Sequence, residues 1–193
     1  FDLAGKVALV TGGSAGLGQG IALALADAGA DIAIAGVSPA ADTIERVRAL
    51  GRRCIEIRAN LATLEQIPRM IGQTLSAHGR LDILVNNAGI VRDSAIWNMS
   101  EADFDAVINV HVKGTWAPAH WAARHWRERA KAGERFTGRI INTTSGAGLV
   151  GNFGQSNYAT AKAGIAGMTQ TLSLELAKLG VTVNCVGPAA ATR

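Results

Sequence analysis

Six short apolar runs punctuate the chain, at Val7–Val10, Ile32–Ala35, Cys54–Ile57, Ile83–Val85, Ile140–Ile141 and Val181–Val186. They are rich in Val and Ile and mostly apolar throughout, the pattern of strands covered on both faces. Between them lie stretches that read as helices, over 16–29, 39–50, 64–78, 101–130 and 157–179. Strands alternating with helices predict a parallel sheet with helices on both sides. Right-handed crossovers make such a sheet doubly wound. The expected fold class is therefore α/β, a three-layer α/β/α arrangement around one parallel sheet. No repeat, low-complexity segment or linker divides it, so residues 1–193 are expected to form a single domain.

Composition narrows the function classes. Apolar residues make up 48% of the chain and charged residues 18%, which supplies a core and excludes a disordered chain. The formal net charge is +4, but the basic residues are scattered. The densest group, Arg124 to Arg135, alternates with Trp126, Glu128 and Glu134 and reads as a solvated helix face, not a nucleic-acid surface. The two cysteines, Cys54 and Cys185, sit in apolar runs without metal-ligand spacing. They are expected to be buried thiols, with no disulfide and no metal site. No signal-like segment opens the chain, and no apolar run approaches the roughly 20 residues that span a bilayer. A cytoplasmic location without membrane contact is the expectation.

The first strand runs directly into Thr11-Gly12-Gly13-Ser14-Ala15-Gly16-Leu17-Gly18, and a helix follows. In a first strand–turn–helix unit, Gly12 permits a tight turn, Gly16 lets backbone approach a pyrophosphate, and Gly18 lets helix and strand pack closely. The helix N-terminus then offers free N–H groups and a positive dipole end to phosphate. The sheet is thus expected to be Rossmann-like and to bind a dinucleotide.

The glycine spacing is Gly-x-x-x-Gly-x-Gly, which resembles the TGxxxGxG motif of the short-chain dehydrogenase/reductase family. Three further segments carry the same resemblance. Asn86-Asn87-Ala88-Gly89 follows the fourth strand and is similar to the family's NNAG. Tyr158-Ala159-Thr160-Ala161-Lys162 is similar to its YxxxK. Ser145 stands 13 residues before the tyrosine, where the family's serine belongs. The resemblance spans the whole chain and implies an NAD(P)-dependent oxidoreductase acting on a secondary alcohol or ketone. It implies a homodimer or homotetramer, with Trp116, Trp121 and Trp126 at the subunit interface and Trp97 elsewhere. It also implies a substrate lid and a last strand beyond Arg193, so the 193-residue domain is expected to lack both.

By the same resemblance, Gly12, Ser14, Gly16, Leu17 and Gly18 hold the phosphates, and Gly36, Val37 and Ser38 meet the adenosine ribose. Asn60 and Leu61 meet the adenine, with Asn60 replacing a more usual Asp. Asn87, Ala88 and Gly89 flank the cofactor, and Pro188 and Thr192 approach the nicotinamide. An acidic residue at the end of the second strand would select NAD, and a basic one NADP. Gly36 is neither, and Ala15 is also neutral where NADP-using relatives often carry Arg or Lys. NAD or NADP is therefore expected, and the missing cation tips the balance towards NAD.

Tyr158 and Lys162 are four apart and share one helix face. A free phenol has a pKa of about 10, too high for an efficient base, and an ammonium one turn away favours the phenolate. Tyr158 is the only tyrosine in the chain. Ser145, at the carboxyl end of a strand, can hydrogen-bond a substrate oxygen. No Gly-x-Ser-x-Gly elbow surrounds it, so it is not expected to be a nucleophile. The family usually places an Asn where His111 stands, in His111-Val112-Lys113-Gly114. A relay role predicts His111 close to Lys162, directly or through one water; a packed structural histidine is the alternative. The His111 segment and Gly151–Tyr158 resemble (3R)-hydroxyacyl-CoA dehydrogenase domains. The first third, with Thr43-Ile44-Glu45 and Leu50-Gly51-Arg52-Arg53, resembles 2-deoxy-D-gluconate 3-dehydrogenases. A catalytically silent nucleotide-binding or interaction module of the same fold is the competing function.

Overall fold

The computed structural model describes residues 2–189. Six strands, β1 (Val7–Thr11), β2 (Asp31–Gly36), β3 (Cys54–Arg58), β4 (Ile83–Asn86), β5 (Gly138–Thr143) and β6 (Val181–Val186), form one sheet. Its order is β3-β2-β1-β4-β5-β6, and every neighbouring pair is parallel. The chain winds outward from β1 to β3, returns to β4, and winds outward the other way. A topological switch point thus lies between β1 and β4, where open α/β sheets bind ligands.

Alternate side chains of the central strands enter two separate cores. Ala8, Val10, Ile32 and Ile34 pack under α1 (Gly16–Asp27) and α2 (Ala41–Ala49). Leu9, Ala33, Leu84 and Ile140 pack on the opposite face under α3 (Ile67–His78) and the long helix that follows β4. This is the three-layer arrangement expected from the apolar runs. The expectation of strands apolar throughout holds for β1, β2 and β4, but not at the sheet edges. There β3 and β6 carry exposed positions among the buried ones. Cys54 is accordingly buried, and burial pushes its thiol up to about 11. Cys185, on the edge strand β6, is only half-buried, which corrects the expectation of two buried thiols.

The helix expected over 101–130 is three pieces. The first, α4 (Glu101–Ile108), starts at Ser100, whose hydroxyl accepts the Asp103 N–H at 3.1 Å. A π-helical turn, Asn109–Lys113, interrupts the α-helical course before α5 (Gly114–Lys131) resumes it. The short α6 (Ala147–Val150) and the long α7 (Ser156–Leu176) complete the helices, and 3₁₀ turns at Leu64–Gln66 and Ala177–Leu179 flank α3 and α7. Trp126 is fully buried in the α5 core and donates its indole N–H to the Leu81 carbonyl at 2.8 Å. It is a core residue, which corrects its expected place at a subunit interface. Trp97 and Trp116 are exposed, and Trp121 carries the Arg124 guanidinium over its ring at 4.7 Å.

Candidate active site

The switch point opens into a cleft of about 580 Å³. The glycine-rich turn forms its floor: Gly12, Ser14, Gly16, Leu17 and Gly18 all line it. Gly36, Val37 and Ser38 close one end, Asn60 and Leu61 one side, and Asn87, Ala88 and Gly89 the other. Ala15, Ala59, Ile90 and Val110 complete the walls. The last three were not singled out in the sequence, because small and aliphatic side chains carry no chemical signal.

The turn is built for close approach. Gly12 has φ +67, and a Cβ there would lie 2.8 Å from the Ala88 Cα. A Cβ at Gly18 would run into the Gly12 carbonyl oxygen and the Asn87 amide. Asn87 in turn donates to the carbonyls of Thr11 and Gly12, at 3.2 and 3.4 Å, which ties the loop after β4 to the turn after β1. Helix α1 has no side-chain cap and no acidic residue in its first turn. Its free N–H groups and positive end therefore face the cleft unneutralised, which suits a pyrophosphate. Asn60 folds its own turn: Oδ1 accepts the Ala62 N–H at 3.0 Å. At Gly36, the nearest atom to a built Cβ among the described residues is the Gly12 backbone at 3.9 Å.

A second cluster lies at the carboxyl end of β5. Lys162, on α7, is 3% exposed and donates from Nζ to the Thr143 carbonyl at 2.7 Å. Its Nζ also stands 5.5 Å from the centre of the Tyr158 ring, one turn earlier. Burial lowers the Lys162 ammonium to about 8. Tyr158 is half-buried in the first turn of α7. Ser145 follows β5, half-buried, and its hydroxyl accepts the Ala147 N–H at 3.3 Å. Two residues that sequence reasoning passed over hold this serine's segment against α7. Thr144 donates from Oγ1 to the Lys162 carbonyl at 2.7 Å. Gly148 lies so close to α7 that a Cβ would stand 2.7 Å from the Lys162 carbonyl carbon.

His111 joins the cluster to the cleft. It sits in the π-helical turn, 2% exposed. Its ring meets Tyr158 edge-on, and a Cβ at Gly89 would overlap it. Nε2 lies 2.8 Å from the Ile90 carbonyl oxygen and 3.0 Å from the Ile90 nitrogen. Nδ1 is buried without a partner among the described residues. Burial, then the positive charge of Lys162, lowers the imidazole to about 4, so it is neutral at neutral pH. Nε2 is thus engaged with Ile90 and Lys162 Nζ is hydrogen-bonded to Thr143, while the Lys162 charge still reaches the imidazole. Pro188 follows β6, half-buried and outside the walls of the cleft, and Thr192 lies outside the described residues.

A model of the family described as short chain dehydrogenase matches residues 6–192. This chain belongs to the short-chain dehydrogenase family. The chain is 42% identical over 189 residues to a 3-oxoacyl-[acyl-carrier-protein] reductase of Synechocystis, covering 96% of this chain and 74% of that one. It is 38% identical over 193 residues to the peroxisomal hydratase-dehydrogenase-epimerase of Neurospora crassa, covering 99% of this chain but only 20% of that one. Among solved structures, a short chain dehydrogenase from Mycobacterium avium superposes with a TM-score of 0.96 at 42% identity, covering all of this chain and 70% of that one. One from Burkholderia cenocepacia, in complex with NADP, superposes with a TM-score of 0.90 at 39% identity, covering all of this chain and 77% of that one. The chain is an NAD(P)-dependent oxidoreductase acting on hydroxyl and keto groups. Among the described residues no helix is long and apolar enough to cross a membrane, and no cluster of His, Cys, Asp and Glu could hold a metal ion.

Proposed function

We propose that this chain interconverts a 3-oxoacyl and a 3-hydroxyacyl thioester, with Tyr158 exchanging the proton at the substrate oxygen. The observation that carries the reading is the buried Lys162 ammonium one turn below Tyr158, joined through His111 to the dinucleotide cleft. Gly12 to Gly18, Gly36 to Ser38, Asn60 and Leu61, and Asn87 to Gly89 would hold the cofactor. When bound, NAD(P) supplies the hydride for reduction and accepts it in oxidation.

The chain's own groups handle the oxygen. In reduction the Tyr158 hydroxyl gives its proton to the carbonyl oxygen as the carbon receives hydride, and the alcohol forms. In oxidation Tyr158 takes that proton back. The Lys162 ammonium stabilises the phenolate left after proton donation. Ser145 donates a hydrogen bond to the same substrate oxygen, where negative charge develops. His111 holds Ile90 and the edge of the Tyr158 ring.

The thioester assignment is supported by the His111 segment and by the names of the Synechocystis and Neurospora relatives. NAD is favoured over NADP because Ala15, Gly36, Val37 and Ser38 offer no cation to a 2′-phosphate. The exposed Trp116 and half-buried Trp121 on α5 fit a homodimer or homotetramer. Steady-state assays with acetoacetyl-CoA, 3-keto-2-deoxygluconate and a 3-ketosteroid, each with NADH and NADPH, test the substrate. Turnover of acetoacetyl-CoA, faster with NADH, is expected. Turnover of the sugar acid alone overturns the thioester assignment. Tight cofactor binding with no turnover of any of them favours the silent module.

A further inference from the structure

Helix α7 begins without a side-chain cap: Gln155, at its N-cap, makes no side-chain bond to the first turn. Asn157 takes over from inside the helix. It is completely buried. Its Oδ1 accepts the Tyr158 N–H at 2.7 Å. Its Nδ2 donates to the Arg92 carbonyl at 2.9 Å and to the Asp103 carbonyl at 3.4 Å. One carboxamide therefore bridges the Tyr158 backbone, the loop after β4 and helix α4. The same two segments meet again around it. Ser94 donates its N–H to the Gly154 carbonyl at 2.8 Å, and the Gln155 amide donates to the Asp93 carboxylate at 2.9 Å.

We propose that Asn157 is the positioning residue for Tyr158 and couples it to the 92–103 segment. The inference rests on the reading of Tyr158 as the group that exchanges the substrate proton. Lys162 is pinned at both ends, by Thr143 at Nζ and by Thr144 at its carbonyl. Tyr158 sits in the terminal turn, where helices fray and backbone donors need outside partners. A small rotation of that turn moves the phenol oxygen, at the far end of a long side chain, more than it moves any backbone atom. Asn157 fixes the rotation against two carbonyls outside the helix. Replacing it removes the one side-chain donor that ties α7 to both carbonyls, so the turn is free to shift.

The test compares Asn157→Ala, Asn157→Asp and Tyr158→Phe in the full chain, with acetoacetyl-CoA as substrate. Asn157→Ala should lower kcat about 10- to 100-fold, the scale of a misplaced reacting group, while the NAD(P) Kd stays within about twofold. Asn157→Asp keeps the acceptor for Tyr158, and an acidic residue in the first turn suits the helix dipole, so this variant should fold even if Asn157→Ala does not. Its buried carboxylate faces two carbonyl oxygens and is driven towards protonation. The protonated acid can donate to Arg92 again, so activity relative to wild type should recover as pH falls; Asn157→Ala should show no such recovery. A substrate-free readout comes from carbon-13 labelling, because Tyr158 is the only tyrosine and gives one ring signal. That signal should move in Asn157→Ala. A merely structural role lowers the unfolding midpoint but leaves kcat, the pH profile and the tyrosine signal of the folded enzyme unchanged, and that result overturns the proposal. If Tyr158→Phe keeps full turnover, the underlying reading of Tyr158 fails instead.

Discussion

The imidazole of His111 stands edge-on to the Tyr158 ring, with centroids 5.2 Å apart and planes at 87°. This places a neutral, buried ring between the phenol and the loop that flanks the cofactor cleft. Its bonds run to Ile90, so it braces that loop; a direct bond to Lys162 is not part of the arrangement.

His111 should govern much of the acid sensitivity. Its folded pKa, about 4, lies below the ordinary value of 6.5. Between those values the unfolded chain binds more protons, so stability present above pH 6.5 is lost as pH falls towards 4. The gap corresponds to about 3 kcal/mol. His111→Asn should flatten this limb in urea midpoints measured across pH 4 to 7. His78 and His125 are also lowered by burial and leave part of the limb in place. A variant curve parallel to wild type would contradict the role of His111.

Lys162 should cost the fold stability. Its folded pKa of about 8 lies below 10.5, so the unfolded state binds more protons between those values. The cost is complete below about pH 8 and fades as pH rises through 10.5. It amounts to about 3 kcal/mol, offset in part by the bond to Thr143, worth about 1.5–3 kcal/mol. Lys162→Met should therefore abolish turnover and raise Tm by a few degrees at pH 7, as read by calorimetry. A lower Tm would show that the hydrogen bond outweighs burial of the charge.

The pattern of apolar runs and the glycine turn made the sheet, its switch point and the cleft legible, because strand burial and phosphate cradles impose strong local signatures. The Tyr158–Lys162 pair was legible for the same reason: helical spacing alone puts both on one face. The π-helical turn at Asn109–Lys113 was not, since one widened turn leaves the hydrophobic pattern of 101–130 intact. The burial of Trp126 was equally hidden, because an indole in a charged helix reads the same whether it faces the core or a neighbour. Thr144, Gly148 and Asn157 were missed because their work is done through backbone carbonyls and close packing, which sequence spacing does not encode.

Gly89 should tolerate no side chain while His111 is present. Gly89→Ala drives a methyl into the imidazole and should cost about 1–3 kcal/mol in urea unfolding. Adding His111→Ala should recover part of that loss. Strict additivity of the two changes would show that the rings and loop relax around the methyl.

Gly36 leaves room for a carboxylate at the ribose end of the cleft. Gly36→Asp should shift the NADH to NADPH preference in kcat/KM about tenfold or more towards NADH, since a carboxylate binds ribose hydroxyls and repels a 2′-phosphate. An unchanged ratio would place the adenosine ribose elsewhere.

The central claim is that Tyr158 carries the proton of the redox step. Single-turnover reduction of acetoacetyl-CoA by enzyme-bound NADH, in wild type and Tyr158→Phe, measures it without interference from product release. The account predicts that the hydride-transfer rate falls by at least about 10²-fold, the lower end of general acid catalysis, while the NADH Kd remains within about twofold. A Tyr158→Phe rate equal to wild type would contradict it.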